Sequence, residues 1–227
     1  FCPKEKVIEM LLEADDDTQK LVDLSVKAFT EETSRESPAP GGGTIAACMG
    51  AMGAALGTMV ANLSAHKRGW DERWEEFSRW AEKGQALQSR LLRLIDDDTA
   101  AFNEIMAAFG MPKSNDEEKA LRSAAIQTAT LHAAQVPLET MKTAFEAFAL
   151  CKAMAENGNP NSISDAGVGA LAIRAAVRGA CMNVKINASS LKDRSLAEPL
   201  IAEADRIAEE ADREEAAITS FINARLV

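Results

Sequence analysis

Aromatic side chains are scarce in this chain of 227 residues: they make up 5% of it, and tyrosine is absent. A sheet core built on aromatic and β-branched cross-strand pairs is therefore disfavoured, and no stretch alternates like a half-buried strand. Histidine is nearly missing too. His66 and His132 are the two present, far apart and without a third partner, so no imidazole metal site is expected. The four cysteines, Cys2, Cys48, Cys151 and Cys181, form no C-x-x-C pair, which excludes a zinc ribbon or redox dithiol and makes a reducing cytoplasm the expected compartment. Positive charge is in deficit, with 25 Lys and Arg against 35 Asp and Glu and a net charge of -10. A general nucleic-acid binder needs the opposite balance, although a locally basic pocket for an anionic ligand remains compatible with it. The opening "FCPKEKVIEM" has no initiator Met, no basic n-region and no apolar h-region, so no signal peptide is expected and the chain reads as cut from something longer.

What remains is helix-forming material. Hydrophobic residues reach 47% and are mostly Ala, Leu, Met and Ile, in a length that suits one domain. Residues 17–227 are expected to form that domain, preceded by a linker over 1–16. An amphipathic helix is expected from Asp17 to Glu32, ended by "SRESPAPGGG". A second comes from Thr44 to about Ser64, and a long third from Asp71 to Phe109, with a break near Gly84 allowed for. "GMPKSND" ends it. The next helical run contains Pro137, which is expected to kink or split it. Past the turn "NGNPNS", Ser164 or Asp165 is expected to cap a helix to about Asn187, and a last one spans Leu196 to Arg225. The fold class predicted is an all-α bundle with long, mainly antiparallel helices.

The run from Thr44 to Leu63 carries no charge. A Walker-type phosphate loop would need a Lys after the last glycine and a strand before the first, and neither is present. A membrane span has the length, and Gly53 and Gly57 have G-x-x-x-G spacing, but Ala, Gly, Met and Thr gain little from lipid. A helix buried in protein on nearly every side is the better expectation, with no membrane as partner. Gly41, Gly42 and Gly43, after Pro40, then either form an ordinary tight turn or put bare backbone at the helix N-terminus, where an anionic or carbonyl group is favoured.

The stretches "SPAPGGGTIAACMGAMGAALGTMVANLS", "LIDDDTAAFNEIMAAFGMPK", "QVPLETM" and "SDAGVGALAIRAAVRGACMNVKINASSLKD" together resemble the formiminotetrahydrofolate cyclodeaminase family, which also includes methenyltetrahydrofolate cyclohydrolases. The resemblance implies an all-helical homodimer that closes 5-formimino-tetrahydrofolate to 5,10-methenyl-tetrahydrofolate and releases ammonia, with folate as substrate and no separate cofactor. "FCPKEKVIE" resembles the family's junction after a formiminotransferase, so a transferase domain fused upstream is expected. The family's D-x-D-x-x-A-F motif falls on Asp96, Asp98 and Phe102, with Asp97 as an extra acid. It carries the catalytic role onto Asp98 and a substrate-binding one onto Asp96.

Asp96 and Asp98 are about 200° apart around a helix, so one of them should do the chemistry. Asn183 and Asn187, one turn apart on an apolar helix, form either a structural hydrogen-bond pair or a contact for the pterin. Lys67 and Arg68, with Lys185 and Lys192, are candidates to meet the carboxylates of a polyglutamylated folate tail. Pro40 and the three glycines complete the expected substrate-binding set.

Overall fold

The computed structural model describes residues 20–37 and 39–226; the linker expected over 1–16 and the start of the first expected helix lie outside the described residues. A 3-10 turn, Leu21–Asp23, leads into α1, Val26–Thr33. Next along the chain are α2, Gly42–Ala65; α3, Trp74–Gly110; α4, Asp116–Asn157; α5, Ile163–Ser189; and α6, Arg194–Asn223. The described residues contain no strand, so the all-α class holds. Helix α2 lies in the middle, against α3, α4 and α5, while α6 packs on α4 and α5.

The first expected helix is not continuous. Leu24 is extended and Ser25 starts a new helix, its hydroxyl accepting from the Ala28 N–H at 3.1 Å. Helix α3, by contrast, runs unbroken through Gly84. A Cβ there would lie 2.1 Å from Thr58 Oγ1 and 2.7 Å from Leu150 Cδ2, so the glycine serves close helix contact rather than a break. Neither Ser164 nor Asp165 caps α5, which begins earlier, directly after a 3-10 turn at Pro160–Ser162. Helix α6 is capped by Asp193, whose carboxylate accepts from the Ser195 N–H.

The uncharged run is a core helix. By length and hydropathy α2 could cross a membrane, yet 61% of its most apolar window is buried inside the bundle. Its small residues are used up on neighbours: a Cβ on Gly53 would meet Ile173 Cγ1 at 2.7 Å on α5. One stripe still faces outward. Met52, Met59 and Leu63 on α2 are exposed, as are Val168, Leu171, Met182 and Ile186 on α5.

Helix α4 is not split at Pro137. A proline removes the N–H that would bond the carbonyl four residues earlier, here that of Ala133. Asn187 on α5 fills the gap, donating from Nδ2 to the Ala133 oxygen at 2.6 Å.

Candidate active site

Two cavities border the N-terminal half of α2. The wider, about 640 Å³ between α1, α2 and α3, is walled by Leu21, Phe29, Met49 and Ile95, with Cys48 as the sole titratable group among its described lining residues. Burial pushes that thiol up, away from the reactive thiolate. It offers no acid or base near neutral pH. The narrower, about 170 Å³, lies where the N-terminus of α2 meets α3, α4 and α5. It is lined by Gly41, Gly42, Gly43, Asp98 and Asn183, with Asn187 beyond, and this is where chemistry is possible.

Helix α2 starts at Gly42, with Gly41 as N-cap and the Ala39–Pro40 peptide cis. Two of the three glycines are thus the first turn of the helix, not a loop before it. Their lack of side chains decides what can approach. A Cβ on Gly43 would lie 2.2 Å from Asp98 Oδ1 and 2.7 Å from its Cγ, so the carboxylate occupies the space a side chain would take. Thr44 holds it there: its hydroxyl donates to Asp98 Oδ2 at 2.8 Å and accepts from the Gly41 N–H at 3.3 Å.

Burial pushes the Asp98 carboxyl above its ordinary value, and the Thr44 hydroxyl and backbone N–H pull it part of the way back. Desolvation wins because no cation among the described residues lines the cleft to favour the ionised form. A carboxyl held in this way can both take and return a proton. Thr99 Oγ1, in the same wall, is buried without a hydrogen-bond partner, a state that a bound ligand would relieve.

Across the cleft, Asn183 donates from Nδ2 to the Gly179 oxygen at 3.0 Å, and Asn187 to that of Ala133. Each amide keeps an oxygen and one N–H to offer a ligand, so the structural and ligand-facing readings coexist. Asn187→Leu is expected to cost about 1–3 kcal/mol by orphaning the Ala133 carbonyl. Pro137→Ala, which restores a backbone donor, should recover part of that loss in urea unfolding. Strict additivity of the two substitutions would show that the pair is not coupled.

Three expected site residues lie elsewhere. Asp96 points away from the cleft, its Oδ1 accepting the Leu21 N–H at 2.9 Å and tying the N-terminal turn to α3. The rotation of about 200° between Asp96 and Asp98 accounts for this. Lys67 and Arg68 come after the other end of α2, about 36 Å from Gly42 along a helix of 24 residues. Lys67 stacks its ammonium 3.9 Å from the Trp70 ring centroid, so within one chain neither cation reaches the cleft. Pro40 is buried directly before the N-cap. Lys185 is engaged by Asp205 of α6. Thr44, Thr99 and Phe102 were not among the expected residues; the one signal for Thr44 is a hydroxyl three places after an N-cap glycine.

A family model described as formiminotransferase-cyclodeaminase matches residues 25–206. A methenyltetrahydrofolate cyclohydrolase of Methylorubrum extorquens is 42% identical over 82% of this chain and 90% of its own. The formimidoyltransferase-cyclodeaminase of Rattus norvegicus is 33% identical over 99% of this chain, which spans 42% of the rat protein. Among solved structures, formiminotetrahydrofolate cyclodeaminase from Thermotoga maritima superposes with a TM-score of 0.80 at 26% identity, covering 92% of this chain and 100% of that one.

Proposed function

The chain belongs to the formiminotransferase-cyclodeaminase family, and we propose that it closes 5-formimino-tetrahydrofolate to 5,10-methenyl-tetrahydrofolate with loss of ammonia. The enzyme class common to its relatives is a folate cyclodeaminase or cyclohydrolase. The observation that carries the finer reading is a single desolvated carboxylate, Asp98, held by Thr44 over a side-chain-free helix start.

In this reaction N10 attacks the carbon of the formimino group in its protonated, amidinium form, forming the N10–C bond as the C=N bond becomes a single bond to a neutral amino group. Asp98 takes the N10 proton and delivers it to the amino group, which leaves as ammonia with the electron pair of the broken C–N bond. The product is an amidinium-like cation. The ionised carboxylate left beside it stabilises that charge. Asn183 and Asn187 orient the pterin, and Thr99 finds its partner there.

Cyclohydrolase action on the same scaffold, with water attacking the cationic carbon, is the second reading, favoured by the 42% identity to the bacterial cyclohydrolase. The deaminase is preferred because relatives bearing that name match 99% of the chain against 82% for the cyclohydrolase. Monitoring methenyl-folate absorbance and free ammonia with each substrate separates them. Ammonia release with methenyl formation supports the deaminase; decay of added methenyl-folate without activity on the formimino compound overturns it.

The protein is further proposed to act in the cytoplasm as a homodimer, joined through exposed apolar residues of α2 and α5, with a transferase domain as covalent partner. Met52 and Leu171 are about half exposed, at 52% and 50%, and stand outside the chain's own core. Light scattering is expected to give a dimer for the parent and a monomer for Met52→Glu/Leu171→Glu. A monomeric parent would rule this interface out.

A further inference from the structure

A buried hydroxyl on a helix is usually satisfied within that helix, by donating to the carbonyl one turn back. Thr58, Ser64, Thr130 and Thr140 all do so, each to the residue four places earlier. Thr44 is as deeply buried as any of them and departs from the pattern. It is the third residue of α2, so the residue four places earlier, Pro40, lies before the N-cap and outside the helix. Its hydroxyl turns instead to another helix, donating to Asp98 Oδ2 at 2.8 Å across 54 positions of sequence. A hydroxyl has one proton and two lone pairs. Here the proton is committed to Oδ2 while a lone pair takes the Gly41 N–H at 3.3 Å.

This direction of donation limits what Asp98 can do with a proton of its own. A proton on Oδ2 would meet that of the Thr44 hydroxyl, so the protonated carboxyl carries it on Oδ1. Both oxygens lie over the bare first turn of α2, with Oδ1 nearest the point where Gly43 lacks a side chain. Oδ1 can therefore gain and lose a proton while Oδ2 keeps its partner, and the side chain need not rotate between the two states. A group that needs no reorganisation when charge moves is a better catalyst than one that must be turned each time. The bond also strengthens when the carboxyl ionises, because its acceptor is then charged.

We infer that Thr44 is a positioning residue for the proton transfer: by anchoring Asp98 Oδ2 it makes Oδ1 the oxygen that takes the proton from N10 and returns it to the departing amine. This rests on the reaction proposed above for the identity of the proton, while the anchoring itself does not. As the N10–C bond forms, the N10–H bond breaks and the proton passes to Oδ1. The Oδ1–H bond then breaks as the amine gains the proton and leaves with the electron pair of its C–N bond. Thr44 keeps its own proton throughout and touches neither reacting atom.

The test compares the parent with Thr44→Val, which keeps the shape and removes the hydroxyl, and with Thr44→Ser, which keeps the hydroxyl. Turnover of 5-formimino-tetrahydrofolate is followed across pH, and the Asp98 carboxyl is titrated by carbon NMR in protein labelled at its aspartate carboxyls, its signal identified by its loss in Asp98→Asn. Thr44→Val is expected to lower kcat about 10–100-fold with KM little changed. The acid limb of kcat and the carboxyl titration should both move to higher pH, because a bond that favours the ionised form is gone. Thr44→Ser should restore all three. Circular dichroism checks the fold, and Thr44→Ala replaces Thr44→Val in the same comparison if the valine variant does not fold. Parent-like kcat without the hydroxyl, a lowered kcat whose acid limb and carboxyl titration stay in place, or a serine variant as impaired as the valine one would overturn the assignment. If the parent does not turn over the formimino substrate, yet the carboxyl titration moves up in Thr44→Val and returns in Thr44→Ser, the reaction proposed above fails and the anchoring of Asp98 by Thr44 stands.

Discussion

Asp98→Asn is expected to lower turnover at least about a hundredfold while the bundle stays folded and still binds folate. The amide keeps the shape and an oxygen for the Thr44 hydroxyl but can neither carry the N10 proton nor offset the charge of the product. Asp97→Asn is the matched control, because Asp97 is exposed and faces a different cleft beside Glu104 and His132. Loss of turnover in Asp97→Asn with retention in Asp98→Asn would move the assignment by one residue.

The same substitution has an opposite effect on stability. Burial raises the Asp98 pKa in the folded chain above its unfolded value. The associated stability is complete below the unfolded pKa and is lost as pH rises through the folded one. At neutral pH the parent therefore bears the cost of a desolvated carboxylate, which the neutral amide of the variant does not. Asp98→Asn should melt at a higher temperature than the parent near pH 7, with the gap closing in acid. A lower Tm for the variant at neutral pH would mean that the Thr44 bond, not desolvation, dominates at this carboxylate.

Gly43→Ala is expected to reduce turnover to a similar degree, about a hundredfold, without touching an ionisable group. The added methyl would fall 2.2 Å from Asp98 Oδ1 and 2.8 Å from Oδ2, so the side chain must swing away and break its bond to Thr44. Helix α2 itself should tolerate or even welcome the alanine, which is the better helix former. Gly42→Ala provides the contrast, since its methyl would meet Asn183 Nδ2 at an ordinary 3.4 Å and should cost far less. Parent-like turnover in Gly43→Ala would show that the position of the carboxylate over the helix start does not govern the rate.

Patterns that repeat along one helix were legible in the sequence. Apolar spacing marked the helices, and the turn-forming stretches "GMPKSND" and "NGNPNS" marked most of the ends. Relations between helices were less so. Nothing local tells that the carbonyl freed by Pro137 is taken by Asn187, far along the chain and on another helix, or that Gly84 exists for Thr58 and Leu150 rather than for a break. In the candidate site, Gly41, Gly42, Gly43, Asp98, Asn183 and Asn187 do converge. Asp96, Lys67 and Arg68 do not, for two reasons: residues two apart on a helix face opposite ways, and residues near the two ends of a long helix are far apart however close their motifs look in print.

The central placement of α2 also sets which parts of the molecule can open on their own. The amides on its buried face are enclosed by α3, α4 and α5, so those should be among the slowest in the bundle to exchange hydrogen for deuterium. The N-terminal turn, fastened through Asp96 and partly buried apolar contacts, can detach and reclose many times in that interval. The helix behind the cleft thus shares the lifetime of the fold, whereas the neighbouring apolar cavity is roofed by the segment that lets go first.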